Sequence, residues 1–193
     1  MKRSLLALTL LAALPFAASA ADNVSYNYIE GGYVGTSSDS FGGFDDAPDA
    51  DGWSVGGSGA IAPNFHLFGN YSSQEFDHNG GDLDRLRVGV GYNHEINSSV
   101  DLLTRVAYEK AEFKAVDLDF DGWSVEAGVR AGLTPNIEAF ALAGYEDYDQ
   151  GVDGEFYGRL GAQVKFNQTW GINGEVKFVD GYTEYFVGPR ISF

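Results

Sequence analysis

Cysteine is absent from the 193 residues, which excludes a disulfide framework and any thiol chemistry. Basic residues are scarce, 12 Lys and Arg against 28 Asp and Glu for a formal charge of −16. A chain this acidic does not hold nucleic acid by neutralising phosphates. Long apolar runs are scarce as well. Leu5 to Phe16 is apolar, follows Lys2 and Arg3, and leads to Ala18-Ser19-Ala20, the small-x-small pattern of a secretory cleavage site. It is too short to cross about 30 Å of hydrocarbon as a helix. The spacing therefore predicts a signal peptide over 1–20 and one mature domain over 21–193, with no linker and a charge of −18 once Lys2 and Arg3 are removed. Without disulfides, an exported domain must rely on hydrogen bonding and packing.

After the leader no apolar run approaches the roughly twenty residues of a membrane helix. What is present instead is 26 Gly, 11 Tyr and 14 Phe, with Val, in alternating patterns that favour strands. The first strand runs from Asn23 to about Thr36. Its inward face is ambiguous, because Tyr26 and Tyr28 share one side and Ile29 and Tyr33 the other. Ser37 to Asp51, with paired glycines, Pro48 and five aspartates, predicts a long polar loop. A second strand begins at Trp53 and ends at Pro63-Asn64, and a third runs from Phe65 to the loop Asp77-His78-Asn79-Gly80-Gly81-Asp82. The fourth is the cleanest alternation, with Leu86, Val88, Val90 and Tyr92 against Arg85, Arg87, Gly89, Gly91 and Asn93. A turn at Asn97-Ser98-Ser99 leads to a fifth strand from Val100 and a loop around Lys114 to Asp121.

Asp121-Gly122-Trp123-Ser124-Val125 repeats Asp51-Gly52-Trp53-Ser54-Val55, and Pro135-Asn136 repeats Pro63-Asn64. The repeat predicts a sixth strand from Trp123 to Leu133 and a seventh from Ile137 to Tyr148. An eighth follows from Glu155 to Phe166, a ninth from Trp170 to Phe178 and, after a short turn near Asp180-Gly181, a tenth over Thr183 to Phe193. Long acidic connections alternate with tight ones. The fold expected is all-β, a transmembrane antiparallel up-and-down β-barrel of ten strands, with eight as the alternative. Aromatic residues agree with this. Trp53, Tyr71, Tyr108, Trp123, Tyr145, Phe178 and Tyr185 adjoin the long loops, while Phe65, Tyr92, Phe166, Trp170 and Phe193 adjoin the tight turns. These form the two girdles of a membrane-spanning barrel. A soluble lipocalin-like barrel would turn its apolar face inward and has no need of two rings.

Charge segregates by face. Of the ten Lys and Arg residues after Arg3, Arg85, Arg87, Arg105, Arg130, Arg159, Lys165, Lys177 and Arg190 oppose the apolar face, as do Glu109, Glu126, Glu138, Glu155, Glu175 and Glu184. A charge on lipid costs roughly 2–4 kcal/mol near the midplane, which accounts for the segregation. The lattice is mixed in sign, so the expectation is a salt-bridged, largely plugged interior. Inward glycines such as Gly56, Gly89, Gly91, Gly128 and Gly161 leave space, and a narrow channel for small solutes or ions is the alternative.

No catalytic site or metal cofactor emerges. Asp117-Leu118-Asp119-Phe120-Asp121-Gly122 begins like a calcium loop, but Gly128 stands where the twelfth-position carboxylate is required. Loose divalent bridging between acidic loops and lipopolysaccharide is the reading preferred. His66 points inward, His94 lies at the turn edge, and His78 sits beside Asp77 and Asp82 without a nucleophile placed by any motif. The chain is read as a non-enzyme.

Two resemblances extend this. The terminal alternation of Tyr185, Val187, Ile191 and Phe193 resembles the C-terminal signal of outer-membrane barrels, which the barrel-assembly machinery reads. Asp22 to Val34, Asp51-Gly52-Trp53 and Pro63-Asn64-Phe65-His66-Leu67-Phe68 resemble a family of small outer-membrane barrels labelled sulfation-dependent quorum factor. That resemblance implies an abundant bacterial outer-membrane protein, carried on vesicles and linked to biofilm, motility and virulence. It also implies a host or cell-surface receptor as partner, beside outer-membrane lipid and lipopolysaccharide. The family's sulfated tyrosine maps onto Tyr26. Placed in a barrel strand, an added sulfate must sit in the lumen or meet lipid.

Overall fold

The computed structural model describes residues 24–38, 49–76, 81–114, 118–149 and 152–193. Ten strands form one closed antiparallel barrel: β1 (Tyr28–Ser38), β2 (Ala50–Ala62), β3 (Phe65–Phe76), β4 (Asp82–Asn97), β5 (Val100–Phe113), β6 (Leu118–Thr134), β7 (Ile137–Tyr148), β8 (Val152–Lys165), β9 (Trp170–Val179) and β10 (Tyr182–Ser192). Each strand pairs with its neighbours in sequence, and β10 returns to β1, so no edge is left unpaired. The ten-strand expectation holds and the eight-strand alternative does not. Among the described residues there is no helix.

Alternation dictates the two faces. On β4, Val88 is 49% exposed and its neighbour Arg87 is 8% exposed. The same alternation runs around the barrel, with Val55, Leu67, Val106, Val125, Leu160, Ile172 and Val187 outward. Outward rings pair into two belts. Trp53 meets Tyr71 at 5.6 Å and Trp123 meets Tyr145 at 5.7 Å in tilted contacts near the loop end, while Phe65 meets Tyr92 at 5.1 Å near the turn end. The first strand's ambiguity resolves with Tyr28, Val34 and Thr36 buried inside and Ile29 and Tyr33 outside, where Tyr33 joins the loop-end belt at 6.2 Å from Tyr185.

Several boundaries differ from the sequence expectation, among them β8, which starts at Val152 rather than Glu155. The first strand starts at Tyr28 rather than Asn23, so Tyr26 precedes it. β2 starts at Ala50, three residues before Trp53. The expected loop from Lys114 to Asp121 is largely strand, because β6 begins at Leu118 and pairs with β5 up to Phe113↔Leu118. Asp119 and Asp121 thus lie on a strand, bonded to Lys110 at 3.0 Å and to the Tyr108 hydroxyl. Beyond the girdle the polarity of the sheet inverts. Asp84, Lys110, Asp119 and Asp121 alternate with the inner-face residues, among which Leu83 is 2% exposed and Phe113 lies 6.2 Å from Phe76 and 5.9 Å from Phe120. Water replaces hydrocarbon outside that level, so the apolar side turns inward. The signal peptide expected over 1–20, most of the first loop and His78 lie outside the described residues.

Candidate functional site: the lumen lattice

The inner face carries three groups of charges along the barrel axis. In the middle, Glu126 of β6 is the hub, its side chain fully buried. Arg87 of β4 approaches it at 3.1 Å, Arg105 of β5 at 3.4 Å and Arg159 of β8 at 3.7 Å, and the Tyr157 hydroxyl donates to it at 3.0 Å. Arg87 also pairs with Glu109 at 2.9 Å and Arg159 with Glu175 at 3.2 Å. Phe68 lies under two of these guanidiniums, 5.3 Å from Arg87 and 4.8 Å from Arg105.

Toward the loops, Arg85 pairs with Glu184, and Lys177 with Glu146 at 2.5 Å, where the Tyr182 hydroxyl also donates at 3.1 Å. Toward the turns, Arg130 pairs with Glu138, which Lys165 reaches at 3.2 Å, and Arg190 pairs with Glu30 at 2.7 Å. Asp101 completes this group. In each group the carboxylates named equal the cations named. Among the described residues the lumen therefore presents no single-sign ring that would concentrate one kind of ion. Glu155, grouped with these residues by alternation, sits half-exposed at the loop end opposite Glu146.

Sequence reasoning missed four members. Asp101 lies at the start of β5, beside the turn. Glu30 lies on β1, whose face was ambiguous. Glu146 lies near the end of β7, where the outward Ala139, Ala141 and Ala143 alternate with the inward Phe140 and Leu142, so both faces read as apolar. The fourth is Tyr26. It enters the lumen from the turn end, 1% exposed, and its hydroxyl donates to Asp101 at 2.9 Å. Its ring stacks on His66 at 4.6 Å, lies 4.7 Å from the Arg130 guanidinium, and packs with Leu103 and Leu142. Burial raises the Tyr26 phenol above the ordinary tyrosine range, so it stays protonated and donates. A cavity of about 100 Å³ remains among Arg85, Arg87, Arg159, Lys177, Glu109 and Glu184, room for a few waters.

The C-terminal residues sit as a barrel-closing strand should. Tyr185 and Val187 face outward, Phe193 is exposed at the turn end, and its amide donates to the Asn27 carbonyl at 3.1 Å.

Comparison with known proteins gives a consistent fold. The family model for the outer membrane protein beta-barrel domain matches residues 4–187. The translocator domain of autotransporter NalP from Neisseria meningitidis is similar over 98% of this chain and 96% of its own, at 14% identity and a TM-score of 0.50. KdgM porin, solved in complex with disordered oligogalacturonate, matches 88% of this chain and 99% of its own at 14% identity and a TM-score of 0.45. Neisserial surface protein A (NspA) matches 88% and 98% at 17% identity and a TM-score of 0.43. No curated protein matches the chain.

Proposed function

The chain belongs to the outer membrane protein beta-barrel domain family, and from that premise we propose that this bacterial outer-membrane barrel is closed by its own charges. In this reading it anchors surface loops for a structural or interaction role and is neither an enzyme nor a general diffusion pore. The observation that carries the reading is the hub at Glu126. Three arginines from β4, β5 and β8 converge on one carboxylate of β6 and so brace the arc of the wall from β4 to β8, projecting into the lumen at mid-height. An ion crossing there must displace ion pairs already satisfied in a confined space.

The partners of such a barrel are outer-membrane lipid, lipopolysaccharide and, during biogenesis, the barrel-assembly machinery. A signal peptide over 1–20 delivers it. The resemblance to the quorum-factor family extends the role to biofilm, motility, virulence and vesicle-borne signalling. The buried site disfavours the sulfation that the same resemblance implies at Tyr26. With the phenol 2.9 Å from Asp101, a sulfate would set a second negative charge against that carboxylate.

A narrow channel for small solutes or ions is the second reading, favoured by the cavity of about 100 Å³ beside the hub. Single-channel recording of the purified protein in planar bilayers separates the two. The closed barrel predicts no ohmic steps for the native chain. Regular unitary conductance would replace it with the channel.

A further inference from the structure

We propose that Val24 to Asn27 form a clasp that closes the turn end of the lumen and locks the β1–β10 seam, docking only after the last strand has paired with the first. The inference does not rest on whether the barrel conducts. Four contacts from this short stretch reach separate parts of the wall. The Tyr26 hydroxyl donates to Asp101 on β5 at 2.9 Å, and Arg130 on β6 donates to the Ser25 carbonyl at 2.9 Å. The Ala60 amide on β2 donates to Asn27 Oδ1 at 2.8 Å, and the Phe193 amide donates to the Asn27 carbonyl at 3.1 Å. The residue before the first strand thus holds the residue after the last.

The seam has reason to need such a lock. β1 and β10 pair through Glu30↔Arg190 and resume at Tyr33↔Val187, leaving Gly31-Gly32 opposite Gly188-Pro189 without ladder pairs between. Pro189 has no amide hydrogen to give. The backbones also crowd here, since a Cβ at Gly32 would lie 2.2 Å from the Val187 carbonyl oxygen and one at Gly188 would lie 2.2 Å from that of Gly31. No side chain can fill in for the missing pairs. This is also the joint between the most distant parts of the chain, the costliest in closure entropy. The clasp adds contacts that bypass it, from the β1 end across the lumen to β5 and β6.

The order is inferred from the Phe193 contact, because the segment has its full set of partners only when β10 lies alongside β1. Hydrogen exchange with peptide resolution on the mature barrel folded into phosphatidylcholine vesicles tests the idea. Tyr26→Ala and Asn27→Ala are expected to speed exchange at β1 and β10 by about tenfold or more while β5 to β6 amides keep their native rates. Uniform acceleration around the barrel would make Tyr26 ordinary core and overturn the clasp, as would unchanged rates. Should Tyr26→Ala fail to fold, Asn27→Ala and Tyr26→Phe, which keeps the ring but loses the Asp101 bond, are read in the same way, and an unchanged seam in both overturns it. For the order, deletion of Phe193 is expected to unprotect amides 24–27 in the folded fraction. Native protection there would show that the segment docks without the Phe193 contact and would overturn the order.

Discussion

Arg87 on β4 lies 3.1 Å from Glu126 on β6, with β5 between them. A pair that skips a strand does not merely line the wall; it reaches across the curve of the barrel, and Arg159 reaches the same carboxylate from β8. The hub is therefore a cross-brace, and its loss should be felt by the whole barrel.

Glu126→Ala leaves Arg87, Arg105 and Arg159 without their shared partner. Removing one side of a buried ion pair costs about 3–5 kcal/mol. The expected outcome is a lower temperature at which the folded barrel loses its anomalous gel mobility. Asp119→Ala, which removes the exposed partner of Lys110, is expected to leave that temperature where it is. Equal melting of the two variants would take the bracing role away from Glu126.

Neighbouring substitutions on β4 should fail in different ways. Arg87→Glu sets a third carboxylate against Glu109 and Glu126, so the barrel inserts but melts early. Val88→Glu puts its charge into hydrocarbon, at a cost somewhat below the about 2–4 kcal/mol of a basic residue at the midplane. Insertion into vesicles should drop. Lys114→Glu, exposed in the turn just after β5, should change neither assay. If Arg87→Glu and Val88→Glu behave alike in both, the alternation does not govern the barrel.

The strand count and the membrane-facing side were legible because hydrocarbon enforces a strict rule, and Leu86, Val88, Val90 and Tyr92 obey it. The rule lapses where the medium changes. Leu118 to Asp121 still alternates, but above the girdle the polar residues face out, so the stretch reads as a loop while it folds as the start of β6. Partner choice was illegible for a different reason. Alternation says that Arg87 and Glu126 share a face, yet strand tilt and side-chain reach decide that they meet. Tyr26 was hidden by the expectation that every aromatic near the start belonged to a strand. Its role depends on a bend just before β1 that leaves no periodic trace.

Deleting Phe193 is expected to lower the amount of assembled barrel in cells far more than Phe178→Ala does. Both side chains are exposed on the lipid side, 62% and 48%, so burial alone would make their losses similar. Only Phe193 ends the chain in the pattern set by Tyr185, Val187 and Ile191. Immunoblotting of outer-membrane fractions measures the difference, and equal yields would mean that the terminal residue is packing and no recognition signal.

Two glycines give opposite expectations for the same added methyl group. Gly91 lies on the inner face of β4, where a Cβ would stand 2.0 Å from His66 Nε2 and 2.2 Å from Cε1. That imidazole has no room to retreat, being fully buried and stacked 4.6 Å from Tyr26. Gly91→Ala should therefore destabilise by about 1–3 kcal/mol, the usual cost of overpacking. Gly158, on the lipid face of β8, has nothing within 4 Å of its added Cβ. Gly158→Ala should be neutral or stabilise by about 0.4–1 kcal/mol through a less flexible unfolded chain. The cause is separable from a general intolerance of β4, because His66→Ala removes the obstructing ring. The double variant Gly91→Ala/His66→Ala should lose less stability than the sum of the two single changes, and strict additivity in thermal melts would show that the methyl group meets something other than His66.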